Sequence, residues 1–403
     1  MRTLGLIIVV LCTVLMLWIN VAIPCTPPIA STEETAALRA QLAYLEPRMH
    51  HGLATDMQRL FPEGSAFSFA LYALAWSGLA DRLPPNDTVR AHAAEEIRWA
   101  YDELNSGTSR AQFAGVQQPP MGVFYAGWRN QVLAALLALE PADTVLSSTF
   151  DRESGIIADA FAASSSPYLE SYPAQAWPAD AVVALHSLRL HERLRGADHN
   201  AVILRWVEQT RTRFDHLDMI PHAWYPALDK VEQPGRGSSL ALMNVFLPDI
   251  DSALAAQQFQ SWKGYFITET FGVPAVREHP IGDHAPGDVD SGPLILGYGP
   301  AATIVGVAAC KRNGDAFYAT ECARTLHGFG FATGSSERAY LFGALPIADL
   351  FIAWGRSVPG EQIQGPPPGY AHFRAWSGLL LLLLWSPWIV RWWRRRRGSK
   401  LPL

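Results

Sequence analysis

The 403-residue chain is poor in charge, 17% Asp, Glu, Lys and Arg together, and has only four cysteines. So few cysteines cannot staple a scaffold of this length, and the fold has to rest on a buried apolar core. Several catalytic signatures are absent. There is no Gly-x-Ser-x-Gly elbow, no glycine-rich phosphate loop ending in lysine, no Cys-x-x-Cys and no His-Glu-x-x-His. Serine-hydrolase, nucleotide and zinc-peptidase chemistries lose their usual support with them. No motif calls for a cofactor or a resident metal. Long β-branched runs are also scarce, which argues against a sheet-based fold.

Charge is missing most completely near the ends. Thr3 to Ile23 holds no charged residue, and at about 1.5 Å per residue the stretch covers roughly 30 Å, the hydrocarbon thickness of a bilayer. A signal peptide is the competing reading, but its apolar region runs about 7–15 residues and ends in small ones. Here Trp18, Ile19 and Pro24 stand instead. A second apolar stretch, Ala375 to Val390, carries Trp385 and Trp388, with Trp392 and Trp393 at the level where indoles favour headgroups. Arg391 and Arg394 to Arg397 follow. That run reads as a cytoplasmic flank under the positive-inside rule and also suits anionic headgroups. The expected plan is a transmembrane helix over 3–23, an outer domain over 31–357, a Pro/Gly linker over 358–374, a second transmembrane helix over 375–393 and a basic cytoplasmic tail over 394–403. Both termini are then cytoplasmic, and the domain lies outside an inner membrane, periplasmic or extracellular.

Residues 1–23 and 374–403 hold eight basic residues and no acid, leaving 24 basic against 37 acidic residues and a net charge of −13 for the segment between the spans. A field of that sign repels polyanions, so nucleic acid is not an expected partner, whereas a small molecule or glycan and the lipid bilayer are. Cys25 follows Val21-Ala22-Ile23-Pro24, which lacks the small residues expected before a lipidated cysteine. Cys310 and Cys322 flank a turn at Asn313-Gly314-Asp315 and are open to pairing or to burial as free thiols.

Within the domain, apolar residues recur at helical spacing, as in Phe67 to Ala75 and Val132 to Leu137. Six loops rich in Gly, Pro, Ser or aromatics give way to small-residue helices, at Gly64, Tyr125, Tyr172, Arg236, Asp290 and Tyr340, spaced 61, 47, 64, 54 and 50 residues apart. More polar helices, such as 87–104 and 198–214, fall between them. Six hairpins of one small-residue and one polar helix predict an all-α fold, an (α/α)6 toroid with its loops gathered at one mouth.

Polar residues at that mouth form the candidate list. Asp283, His284, Asp288 and Asp290 crowd one loop. Crowded carboxyls raise one another's pKa, which suits a general acid. Asp290 or Ser291 also reads as a plain helix cap with Pro293 in the first turn, and Asp283, His284 and Asp288 as hard ligands for calcium. Tyr125, Trp128, Arg129 and Asn130 pair aromatics with a charge, for stacking on a sugar or, alternatively, for an interhelical salt bridge. Tyr172, Gln175, Trp177 and Asp180 form a similar group, with Asp180 as a second acid. Glu63, His222, Trp224 and Arg236 complete the set.

Ser65 to Tyr72, Phe124-Tyr125-Ala126-Gly127, His191 to Asp198 and Asp288 to Gly292 give the segment 60–350 a resemblance to the linalool dehydratase/isomerase family. The resemblance implies an (α/α)6 barrel, a cavity at the inner-helix starts and action on terpene alcohols. The family's histidine after Tyr-x-Gly is replaced here by Trp128, and no cysteine lies between Cys25 and Cys310. The expected activity is therefore acid–base hydrolysis or elimination on an envelope glycan by Asp180, Asp288 and Asp290 with His284, against chemistry on an isoprenoid or lipid-like alcohol, or a binding role without catalysis.

Overall fold

The computed structural model describes residues 2–364 and 370–398, so part of the expected linker and the tail beyond 398 lie outside the described residues. The chain is mostly helical, 66%, with a few short strands. In chain order the helices are α1 (Arg2–Ala22), α2 (Thr32–His50), α3 (Leu53–Leu60), α4 (Gly64–Ala80), α5 (Thr88–Leu104), α6 (Gly107–Ala111), α7 (Gly122–Leu139), α8 (Thr144–Ala163), α9 (Pro178–Arg195) and α10 (Asn200–Arg211). There follow α11 (Gly237–Ile250), α12 (Ser252–Phe266), α13 (Pro300–Arg312), α14 (Ala316–Phe329), α15 (Pro346–Ser357) and α16 (Ala371–Gly398). Two antiparallel hairpins, β1 (Ala223–Tyr225) with β2 (Lys230–Gln233) and β3 (Ile267–Thr270) with β4 (Val273–Val276), flank α11 and α12.

Six helices carry the core. α4, α7, α9, α11, α13 and α15 each pack on the next, and α15 packs back on α4. Small residues permit this closeness: a side chain at Gly127 would meet the Ala184 backbone at 3.0 Å, and one at Gly78 would meet Ser357 at 2.6 Å. Those contacts pair equal heights, so the neighbours run parallel. α5, α8, α12 and α14 return on the outside, α10 packs on α8, and α2 covers α15. Five of these outer helices start with a side-chain cap, from Ser31, Asp87, Asp143, Asp251 and Asp315. None of the six inner ones does.

Two expectations shift. α13 starts at Pro300 rather than near Pro293, because Asp288 accepts from the amides of Asp290 and Ser291 and closes a turn there instead. α7 starts at Gly122, so Trp128, Arg129 and Asn130 lie nearly two turns inside it. Cys310 and Cys322 are buried free thiols.

The terminal helices are long and apolar enough to span a membrane. They lie antiparallel: Asn20 Nδ2 donates to Ser377 Oγ at 3.1 Å and Trp385 Nε1 to Thr13 Oγ1 at 2.9 Å. Their ends therefore fall on one side.

The packing predicts opposite outcomes for two glycines. Gly127→Ala forces Cβ against backbone and should cost about 1–3 kcal/mol. Gly155→Ala, in α8 with nothing within 4 Å, should gain up to about 1 kcal/mol from helix propensity. Thermal unfolding of the two variants checks the signs.

Candidate active site at the inner-helix N-termini

The loops that precede the inner helices converge at one end, where uncapped helix starts present amide N–H groups and positive dipole ends. Asp180, in the first turn of α9, is buried and accepts from Ser171 Oγ at 2.5 Å. Burial, with Glu63 and Asp290 adding like charge, pushes its carboxyl up to about 8 despite the serine. Glu63, just before α4, accepts from the Tyr172 hydroxyl at 2.6 Å; burial and Asp290 raise it too. Asp290 is raised by desolvation and by Asp288. Three acids from three loops thus share one field beside Tyr172. Trp177 stands edge-on to that tyrosine at 5.6 Å.

Asp288 has a different state. Although desolvation works the other way, its hydrogen bonds from Arg236 and from the turn amides hold it at about 2. Arg236, at the start of α11, is further fixed by Gln233 Oε1 at 2.5 Å. Next to it lies Glu278, which the sequence reading missed. It is buried and accepts from Ser238 Oγ at 2.8 Å, and its Oε2 has no protein partner. Burial pushes it up to about 7. His222 is driven down to about 3 by burial and then by Arg236, so it is neutral at pH 7.

The remaining candidates are placed elsewhere or do other work. Tyr125 is buried, donates to the Leu104 carbonyl at 2.9 Å and stacks on Phe113 at 5.2 Å. Arg129 pairs with Glu153 and bonds Asn105 at 3.2 Å, joining α7 to its outer neighbours. Asn130 binds Ser154 and Ser187 hydroxyls at 3.1 and 3.0 Å. Trp128 meets Phe67, Phe246 and Trp354 at 5.4, 6.1 and 6.3 Å. Those rings come from α4, α11 and α15, so together they fill the axis. Trp224 is buried edge-on to Tyr168 at 5.2 Å. Gln175 is exposed and turns the chain through backbone bonds to Tyr172. His284 is exposed on its loop. Asp283 accepts from its own loop, at the Ala285 amide, and Asp288 is taken by Arg236. Among the described residues, the set with metal-ligand spacing is Glu46, His92 and Glu96. Glu46 already bonds His92, and Glu96 bonds His50 and Tyr72.

A large cavity of about 770 Å³ opens at the opposite end of the ring, between the inner-helix C-termini. His186 borders it, with Gln131 Nε2 on Nδ1 at 2.7 Å and Asp249 Oδ2 on Nε2 at 3.0 Å. Both ring nitrogens are therefore occupied, and the imidazole has no lone pair free for a substrate proton. The aromatic filling around Trp128 stands between this cavity and the acids.

No protein-family model matches the chain, and no curated protein matches it.

Burial, with the like charges beside it, makes Asp180 a pH-dependent cost. Its carboxyl is held at about 8 in the fold against an ordinary 3.8. Its contribution is thus neutral below pH 4 and increasingly unfavourable up to about pH 8. Asp180→Asn should therefore raise stability at pH 8 by a few kcal/mol, on the order expected from such a shift, and leave pH 4 unchanged. Denaturant midpoints at the two pH values measure this.

Proposed function

We propose that the chain is a membrane-anchored enzyme in which a six-hairpin (α/α)6 toroid works outside the cytoplasm, with both termini inside. We further propose that it performs acid–base hydrolysis or elimination on an envelope glycan. The closed sequence of inner-helix contacts and the outer return helices support the toroid. The antiparallel terminal helices and the arginines at the C-terminal end of α16 support the topology.

The observation that carries the chemistry is a pair of interacting carboxyls in unlike surroundings: Asp180, buried and pushed up to about 8, and Asp290, raised but exposed at the surface. Environments that push acid pKa values apart assign acid and base roles. Asp180 is the general acid and delivers its proton to the leaving oxygen. Asp290, raised but solvent-facing, takes a proton from the attacking water or from the sugar carbon. Asp288 at about 2 is too weak a base for this and instead fixes Arg236 and the turn that aims Asp290. Tyr172 and Trp177 offer ring faces and edges to a sugar.

A second reading has support in the exposed Ile295 and Leu296, five and six residues after Asp290. The same protonated Asp180 would expel water from an isoprenoid or lipid-like alcohol, the chemistry implied by the family resemblance. Trp128 on the ring axis, where that family has histidine, weighs against a histidine-dependent version of it.

Full-length protein assayed on oligosaccharides and on terpene alcohols separates the readings. Asp180→Asn and Asp290→Asn should each lower kcat by about 10²–10⁴-fold. For the wild type, kcat/KM should fall as pH rises through about 8, as the acid is lost. Turnover on neither class would return the domain to a binding or assembly role.

A further inference from the structure

The acid mouth and the membrane spans lie at the same end of the domain. α14 runs antiparallel to α13, so its C-terminal end is level with the start of α13. There Gly328 sits against Ile19 and Ile23 at the exit of α1. The second span leaves from the same place: Gly272, in the β3–β4 turn, abuts His372 and Phe373, the first residues of α16. The inner helices run parallel, so all their starts, with Glu63, Asp180 and Asp290, face the side from which the spans depart.

This side also carries an unusual surface. Ile295 and Leu296 are 68% and 67% exposed, and Phe271, Ile281, Val289 and Phe329 are exposed as well. Soluble surfaces rarely gather large apolar residues on one face unless something covers them. The patch is continuous with the spans, since Phe271 lies 5.4 Å from the Trp376 ring and Phe329 6.0 Å from Phe373. The 277–298 loop joins the patch through Tyr298, whose hydroxyl bonds Thr268 and Thr270 of β3 at 2.9 and 2.8 Å. The acids at this face, Asp283, Asp288 and Asp290, disfavour an anionic surface and leave a zwitterionic one acceptable.

We propose that this rim is a bilayer-docking surface: the apolar side chains of the 271–298 region insert among the lipids that surround the two spans, and the acid mouth opens onto the membrane surface. Ligands then reach the acids from the lipid side, as amphiphiles held in the leaflet. This last step rests on the acid mouth being the reacting site, whereas the docking does not.

Photo-crosslinking of the full chain in phosphatidylcholine vesicles tests the docking without any turnover. p-Benzoylphenylalanine is placed in turn at Leu296, at Leu380 in α16, and at Val145 in the first turn of α8, on the far end and 71% exposed. Lipid adducts at Leu296 and Leu380, with none at Val145, are expected. Adducts at Leu380 without any at Leu296, or equal adducts at Leu296 and Val145, would overturn the proposal. Because activity is not read, that outcome is distinct from failure of the proposed reaction.

Discussion

A lysine shut off from water joins the first helix after α1 to α15, the last inner helix. Lys311 Nζ, on α13, donates to Glu34 Oε1 of α2 at 3.0 Å and to the Gly355 and Arg356 carbonyls of α15 at 3.2 and 2.9 Å. Those carbonyls belong to a last helical turn, which has no intrahelical donor for them. Arg82, just past α4, reaches the same place, 3.4 Å from Glu34 and bonded to the Arg356 carbonyl. Burial pulls the lysine down to about 8 while Glu34 opposes. Loss of one partner from such a pair costs about 3–5 kcal/mol, because the other charge stays buried. The seam holds the end of α15 against α13 and, through Arg82, against the end of α4, and so ties the last inner helix to the first.

The two ends of the inner helices have opposite chemistry. At the N-terminal end, uncapped amides face raised carboxyls, which backbone dipoles favour when ionised and desolvation favours when protonated. Asp180 sits on the protonated side of that balance and Asp288, held by Arg236, on the other. At the C-terminal end, Arg193 and Arg312 converge on Asp249, cations placed where the dipole is negative. Trp128 and its neighbours keep the ends apart.

Much of this was legible in the sequence where local chemistry decides. The absence of charge marks the terminal helices, and small-residue segments mark the inner ones, with starts displaced by up to ten residues. Asp180 and Glu63 were found because each adjoins such a start. Where tertiary contacts decide, the reading failed or stayed open. Pro293 and Pro300 look alike as first-turn prolines, and only the turn at Asp288 selects the later one. Met121 and Gly122, both at positive φ, begin α7 early and carry Arg129 away from the mouth to Glu153. Glu278 lies two residues past a four-residue strand, in a stretch with no pattern of its own. It reaches the site because Gly237 lets the start of α11 approach so closely that a side chain there would overlap the Arg277 carbonyl at 1.8 Å.

The protonation state of Asp180 is the centre of the account, and infrared difference spectroscopy reads it directly. A protonated carboxyl has a carbonyl stretch separate from that of a carboxylate. Comparison of wild type with Asp180→Asn at pH 7 should show one carboxylic-acid band missing from the variant, and in the wild type that band should bleach as pH rises through about 8. Identical spectra in the acid-carbonyl region at pH 7 would mean that Asp180 is ionised, and the assignment of a general acid at this mouth would fail.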